Sequence, residues 1–115
     1  MGSGNRSDRV SIEIHRILSQ LMLKGLRDPR IKSFSITNIR VTPDLRLARV
    51  RCVPMGGGDG AKLLAGLRSA SGYLSRELAK QLRMKYSPKL EFFLDEELAK
   101  AMNVIKGLDH LDPEE

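Results

Sequence analysis

Few side chains in this sequence are of the types that perform covalent or metal chemistry. The chain has one cysteine, Cys52, and two histidines, His15 and His110. A lone cysteine excludes an internal disulfide and a multi-cysteine metal site. Neither histidine has an acid or a thiol at a spacing that suits a metal site or a catalytic pair, so the sequence favours surface positions for both. Cys52 fits the alternation of a strand and is predicted to be a small core residue rather than a nucleophile.

A glycine-rich segment, residues 56–60 (GGGDG), lies between a strand pattern and a helix pattern, where a phosphate-binding loop would be expected. A Walker loop has its last glycine directly before a lysine, followed by Ser or Thr, so that backbone amides and the ammonium converge on the phosphates. Here Ala61 separates Gly60 from Lys62, and Leu63 replaces the hydroxyl residue. The segment is therefore predicted to be a flexible connector.

The acidic cluster Asp95, Glu96 and Glu97 is the remaining candidate, for a cation site. These carboxylates lie at the end of a strand pattern and the start of a helix pattern. At that place they stabilise the helix dipole, so capping is the preferred interpretation. The sequence therefore predicts no enzyme, no cofactor, no bound metal and no small-molecule substrate.

Charge is the strongest functional signal in the composition. The 115 residues include 20 Lys and Arg against 14 Asp and Glu. The net charge is +7 over residues 1–53, +5 over residues 54–90 and −6 over residues 91–115. A basic surface of this size favours a polyanionic partner, because each neutralised phosphate releases condensed counterions. The alternative is that Lys and Arg only solvate exposed helix faces.

Chain length and hydropathy limit the architecture. A chain of 115 residues supports one domain, and no window approaches the ~20 apolar residues of a membrane span. No export leader is apparent, so a reducing, cytoplasmic location is expected. We predict a disordered cloning remnant over residues 1–5, a folded domain over 6–106 and an acidic flexible tail over 107–115. The patterns within the domain predict a helix to about residue 23, strands over 34–41 and 46–53, a long helical region over about 61–85, a strand over 90–94 and a helix over 96–105.

Two of these elements have irregular patterns. The apolar alternation changes phase within the first strand, which a bulge near Thr37-Asn38 would reconcile. Gly72 interrupts the long helical pattern at a cost of ~1 kcal/mol relative to alanine, so a bend or break is predicted there. Tight helix packing is the alternative explanation for this glycine. Beyond Gly72, the residues Arg76, Lys80 and Arg83 fall on one stripe opposite the leucines.

Aromatic residues are scarce. The chain has five, and the first two strands contain only Phe34. RNA modules that stack bases on a sheet need aromatic side chains on the exposed strand faces. A base-stacking sheet is therefore disfavoured. A clamp for nucleic-acid backbone, built from helix ends, glycine and basic side chains, fits the sequence better.

The order helix, strand, strand, helix, helix, strand is that of a type II KH domain, which clamps nucleotide backbone with a Gly-x-x-Gly loop between its paired helices. The GGDG of residues 57–60 precedes those helices, and Ala70-Ser71-Gly72 stands between them instead. With this substitution the chain resembles the bacterial ribosome-binding factor A family over roughly residues 6–106. The other matching segments are RV at 9–10, DPRI at 28–31, VTPDLRLARV at 41–50, LR at 82–83, and PKLEFF at 88–93 with Asp95.

The resemblance implies an α+β, type II KH-like fold (α-β-β-α-kink-α-β), with a three-stranded sheet covered by helices on one face plus a short C-terminal helix. It implies a non-enzymatic assembly factor that binds the small (30S) ribosomal subunit and its 16S rRNA late in maturation. It further implies support of rRNA 5′-end processing and of growth in the cold, and release assisted by a ribosome-assembly GTPase. A monomer is expected. Many relatives continue into a longer charged tail than this sequence has.

The resemblance and the basic stripe together assign an RNA-binding surface around the interhelical kink at Ala70, Ser71 and Gly72. In this assignment, Ser69 and Ser71 supply hydroxyl groups and Gly72 permits close backbone approach. The main cations are Arg76, Lys80, Arg83 and Lys85, with Arg68 and Lys89 flanking them. The remaining arginines in the strands, Arg40, Arg46, Arg49 and Arg51, are interpreted as solvating the open sheet face, whereas Arg30 and Lys32 fit either an rRNA contact or closure of a turn.

Two other functions remain open. One is a general KH-type RNA-binding module without ribosome specificity. The other, of a different class, is a protein-docking adaptor whose basic face meets an acidic partner. A DNA-binding helix-turn-helix is weaker, because the paired helices are followed by a strand and no dimer element is visible.

Overall fold

The computed structural model describes residues 6–24, 28–31, 33–56 and 58–102. The predicted cloning remnant, the acidic tail, Lys32, and the end of the last helix at residue 105 lie outside these ranges. The elements, in chain order, are helix α1 (Arg6–Leu23), strands β1 (Phe34–Val41) and β2 (Leu47–Pro54), helix α2 (Gly60–Leu82), strand β3 (Lys89–Leu94) and helix α3 (Glu96–Met102). This order confirms the predicted α+β class.

The three strands form one sheet in the order β1-β2-β3. β1 and β2 are an antiparallel hairpin, and β3 pairs with β2 in parallel. The hairpin turn is closed by Thr42, whose Oγ1 donates to Asp44 Oδ1 at 2.7 Å and accepts from the Leu47 backbone N–H at 3.2 Å. A parallel pair needs a long crossover, and α2 supplies it.

The predicted bulge in β1 is confirmed. The pairing passes from Ile36↔Cys52 to Asn38↔Arg51, which leaves Thr37 as the extra residue. Because of this insertion, apolar residues on both sides of Thr37 can pack against the core. Thr37 Oγ1 donates to Asp95 Oδ2 at 2.7 Å, so the bulge is also tied to the segment that precedes α3.

The core lies between α1, α2 and the inner face of the sheet. In β2, Ala48, Val50 and Cys52 alternate with exposed arginines and are fully buried. Burial raises the pKa of the Cys52 thiol to about 12, so the sulfur is protonated near neutral pH and is a poor nucleophile. The predicted core role of this residue is confirmed. The helices contribute Ile14, Ile17, Leu18 and Leu21 from α1 and Leu63, Leu67, Leu74 and Leu78 from α2.

The predicted helix pair is wrong in one respect, because α2 is a single uninterrupted helix through Ala70, Ser71 and Gly72. A cost of ~1 kcal/mol at one glycine is small compared with the burial of leucines on both sides of it. Gly72 is exposed, and a Cβ there would meet only Arg76 Nη1, at 3.6 Å, so tight helix packing does not explain it. A change of helix direction at these residues stays a prediction.

The close approach to α2 is made instead at Gly66, which is buried. A Cβ at this position would lie 2.7 Å from Ile31 Cγ1 and 3.1 Å from Arg30 Cβ. The distance to Ile31 is shorter than real Cβ atoms show, and the distance to Arg30 is tight. The glycine therefore allows the segment 28–31 to cross the helix.

The two faces of the sheet are covered unequally. Val53 lies on the same face of β2 as Arg49 and Arg51, so it points away from α1 and α2. It is buried together with Ala99 of α3. α3 thus covers one end of the second face and leaves the arginine rows beside it open. Within the ranges described, no helix is long and apolar enough to cross a membrane.

Candidate nucleic-acid interface

The rotation of α2 about its axis is fixed by its buried leucines. Leu74 and Leu78 are only 2% and 0% exposed. Residues two positions further along a helix point about 200° away, and Arg76 and Lys80 stand at those positions and are exposed. For Arg76 and Lys80 the predicted orientation opposite the leucines is confirmed, and their binding of RNA stays a prediction.

Arg83 ends α2 at its C-terminus and is exposed there. Arg83 is in the left-handed region, with φ 55° and ψ 42°. Its N–H donates to the carbonyl of Lys80, and the N–H of Met84 donates to that of Ala79. This is a Schellman ending, in which glycine is the usual residue. An arginine at this position costs backbone strain of about 1 kcal/mol, partly offset by its attraction to the helix C-terminus.

Two lysines in this region, Lys80 of the stripe and Lys85 beyond it, have weak partners. Lys80 Nζ lies 3.1 Å from Glu77 Oε2, in a pair whose lysine side chain is 72% exposed. Lys85 lies over the Tyr86 ring, 5.5 Å from its centroid. Exposed pairs of this kind contribute about 0–1 kcal/mol, so a phosphate can displace them easily.

Several predicted contact residues are held by the protein itself. Arg68 Nη2 donates to the Phe92 carbonyl at 2.9 Å, which ties α2 to β3. Ser71 Oγ donates to the Arg68 carbonyl at 2.9 Å within the helix. Lys89 is exposed at the start of β3, where its N–H donates to the Arg46 carbonyl. Arg68 and Ser71 therefore contribute to the position of the surface, whereas the side chain of Lys89 remains exposed beside it.

Ser69 connects α2 to the segment that crosses it. Its Oγ accepts from Arg30 Nη2 at 3.1 Å, and the same guanidinium pairs with the Asp28 carboxylate. The Ile31 N–H donates to the Asp28 carbonyl and closes the turn. Turn closure, one of the two roles predicted for Arg30, is thereby confirmed.

The Asp28 carboxylate should make the stability of the folded protein depend on pH in the acid range. Side-chain and backbone hydrogen bonds from Arg30 lower its pKa to about 2. Because the folded value lies below the unfolded one, the stabilisation is present above pH 4 and is lost as the pH falls from about 4 to about 2. We expect NMR titration to give an Asp28 midpoint well below 3. We also expect Asp28→Asn to flatten the acid dependence of unfolding in this window, and a midpoint near 4 would contradict this reading.

One aromatic residue on the other face was missed by the sequence reasoning. Phe93 lies in β3 and is 37% exposed, whereas its neighbour Phe92 is buried. The signal was present in the sequence: Leu90 and Phe92 share one strand phase and Phe93 has the other. The prediction considered aromatic residues on the two hairpin strands alone, and Phe93 belongs to the third strand. Among the described residues no group of three His, Cys, Asp or Glu could hold a metal ion.

The chain is similar to proteins of one family. A family model described as ribosome-binding factor A matches residues 6–108. The ribosome-binding factor A of Clostridioides difficile is 43% identical over 103 residues, or 89% of this chain and 81% of that protein. That of Geobacter sulfurreducens is 39% identical over 111 residues, or 96% of this chain and 94% of that protein.

Solved structures with the same fold come from Thermus thermophilus. The crystal structure of its ribosome-binding factor A has a TM-score of 0.69 and 24% identity, and the match covers 77% of this chain and 94% of that chain. A homology model of the Thermus thermophilus factor, fitted into a cryo-EM map of a 30S complex, has a TM-score of 0.62 and 26% identity. That match covers 77% of this chain and 93% of the other.

Proposed function

The chain belongs to the ribosome-binding factor A family, and from this membership we propose that it binds the small ribosomal subunit, through 16S rRNA, late in the subunit's maturation. The observation that carries the proposal is the cationic stripe of α2. Its orientation is set by buried leucines, and the ion pair of Lys80 with Glu77 is exposed and weak. The homologous factor that was fitted into a 30S complex supports the choice of partner.

In this proposal the stripe contacts phosphates rather than bases. Arg76 and Lys80 are four residues apart, which is about 6 Å along the helix, and Arg83 follows at the C-terminal end of α2. Charge-assisted hydrogen bonds from such a row supply affinity and fix orientation, and the folded shape of the rRNA supplies specificity. Gly72 at the start of the stripe allows the helix backbone to approach the RNA closely, whereas the Ser69 hydroxyl already accepts a hydrogen bond from Arg30.

The finer functions belong to the same proposal. The factor acts as a monomer in the cytoplasm, assists 5′-end processing of 16S rRNA by occupying the subunit rather than by catalysis, and supports growth in the cold. Its release is assisted by a ribosome-assembly GTPase. Each of these roles depends on reversible binding, which weak ion pairs and phosphate contacts favour.

Sedimentation tests the proposal. The full chain is mixed with purified free small subunits, intact ribosomes and total cellular RNA, and is followed through a sucrose gradient. We expect it to travel with free small subunits, with an affinity that falls as salt rises. Equal distribution over mixed transcripts would support a general KH-type module instead. Retention of a protein partner after nuclease treatment would support an adaptor.

A further inference from the structure

The open face of the sheet carries an ordered set of side chains that the proposed function does not use. The register places Arg40, Arg49 and Glu91 in one row across the three strands, and Asn38, Arg51 and Phe93 in the next. We call these six residues the open-face rows. Their strand phase points them away from α1 and α2, and none of them is buried.

The open-face rows carry excess positive charge. Arg40 and Arg49 are direct cross-strand partners, and like charges in that arrangement repel. The acid within the rows, Glu91, lies 3.6 Å from Arg49 Nε in an exposed pair. Asp95, just beyond β3, already accepts from Thr37 and from the Leu98 N–H. Asp95 is also near enough to attract Arg51. The three guanidinium groups therefore face two carboxylates, Glu91 and Asp95, and the rows keep a net positive charge. A bound anion would relieve the repulsion between Arg40 and Arg49.

Phe93 gives the open-face rows an aromatic surface. Arg51 is its direct neighbour on β2. An exposed aromatic beside arginines is the combination with which proteins hold single-stranded RNA, because a base stacks on the ring while guanidinium groups bind the adjacent phosphates. An acidic protein surface would explain the arginines, but it would not require an exposed phenyl ring beside them.

We propose that the open-face rows are a second RNA-binding surface, which takes a short single-stranded segment with one base on Phe93 and the flanking phosphates on Arg40 and Arg51. This inference rests on the proposed function, because it supplies a second contact with the same class of partner. Strands lie about 4.8 Å apart and residues i and i+2 about 7 Å apart. The rows therefore span about 10 Å by 7 Å, enough for one or two nucleotides. α3 limits this footprint at the Val53 end.

The stripe of α2 and the open-face rows face in opposite directions. The stripe of α2 points outward from the helix layer, and the open-face rows point outward from the sheet layer. One molecule can therefore hold a folded rRNA element on one side and a single strand on the other. Binding at both sites raises the overall affinity beyond either one, if the RNA segments are suitably spaced.

Cross-linking and anisotropy with an oligouridine 8-mer test the inference. With 4-thiouridine in the oligomer, we expect a cross-linked peptide that contains Phe93. Phe93→Ala should weaken binding of the labelled 8-mer by roughly tenfold, whereas Phe93→Tyr, which keeps the stacking ring, should stay within about twofold. Arg40→Gln with Arg51→Gln should lower the log–log salt slope by about 1.4, and the charge-matched Lys24→Gln with Lys100→Gln should not. Thermal unfolding of each variant shows that it is folded.

The result that overturns the inference is unchanged 8-mer binding by folded Phe93→Ala together with cross-links only on α2. In that case, co-sedimentation with small subunits still decides the proposed function separately. Conversely, the chain could fail to co-sediment with small subunits and still cross-link to the 8-mer at Phe93. That result would overturn the proposed function and leave only RNA binding by the sheet. A third outcome concerns an acidic protein that the parent chain retains after nuclease treatment. If the Arg40→Gln, Arg51→Gln variant no longer retains this protein but binds the 8-mer normally, the face is a protein-docking surface and the inference is wrong.

Discussion

Reversing the charges of Lys80 and Arg83 together is expected to weaken binding to the small subunit by at least about 100-fold at moderate salt. Each residue is placed to donate a charge-assisted hydrogen bond to phosphate, which is worth about 1.5–3 kcal/mol, and a glutamate in its place repels that phosphate. Titration of labelled protein with purified small subunits measures the loss. The salt dependence should become shallower at the same time.

The matched control is Lys24→Glu with Lys100→Glu, which changes the net charge equally at exposed positions outside α2. We expect a much smaller loss for this pair. The α2 variant loses the Glu77 contact and gains an unfavourable charge at the helix end, each worth below about 1 kcal/mol. It should remain folded, which far-UV circular dichroism checks. If the folded α2 variant binds as tightly as the parent protein, the interface lies elsewhere.

Alanine at two glycines of the same helix is expected to have opposite effects on stability. Gly66→Ala places a methyl group 2.7 Å from Ile31 Cγ1, and overpacking of this kind costs about 1–3 kcal/mol. Gly72→Ala meets only Arg76 Nη1, at 3.6 Å, and should gain about 0.5–1 kcal/mol from helix propensity and a less flexible unfolded chain. The two variants should differ by about 2 kcal/mol, or about 10 °C in melting temperature.

Urea unfolding of both variants measures this difference, and each serves as the control for the other because the substitution is identical. Equal stability of the two would show that the segment 28–31 moves to accommodate a methyl group at position 66 without a cost in stability. Gly72→Ala also has a functional outcome. If close backbone approach at Gly72 matters, the more stable variant should bind the small subunit less tightly.

The fold was largely predictable because burial decides most local choices. The phase change in β1 predicted a bulge, and the structure has it at Thr37, since a strand that buries one face must keep its apolar residues there. The break predicted at Gly72 is wrong, because a local cost of ~1 kcal/mol does not break a helix that is buried on both sides of it; the alternative, a bend, stays a prediction. Asp59 was missed as a cap, although it directly precedes α2 and its Oδ1 accepts from the Ala61 and Lys62 amides.

The candidate site was only partly predictable, for a different reason. Helical spacing places Arg76 and Lys80 on an exposed stripe, and the structure agrees. The partners of Arg68 and Ser69 come from residues 24 and 39 positions away, and spacing along one helix carries no information about such contacts. Gly66 is a similar case, because its neighbour Ile31 belongs to a segment before the sheet.

The parallel pairing of β2 with β3 has a consequence for the order in which the chain folds. The hairpin closes across residues 42–46, whereas β3 must wait for the 34 residues between Pro54 and Lys89 to form their helix and return. Contacts between distant residues form slowly, since the entropy of closing the loop is lost before they stabilise the fold. During synthesis, the inner leucines of α2 therefore stay without their full cover until residue 94 has left the exit tunnel.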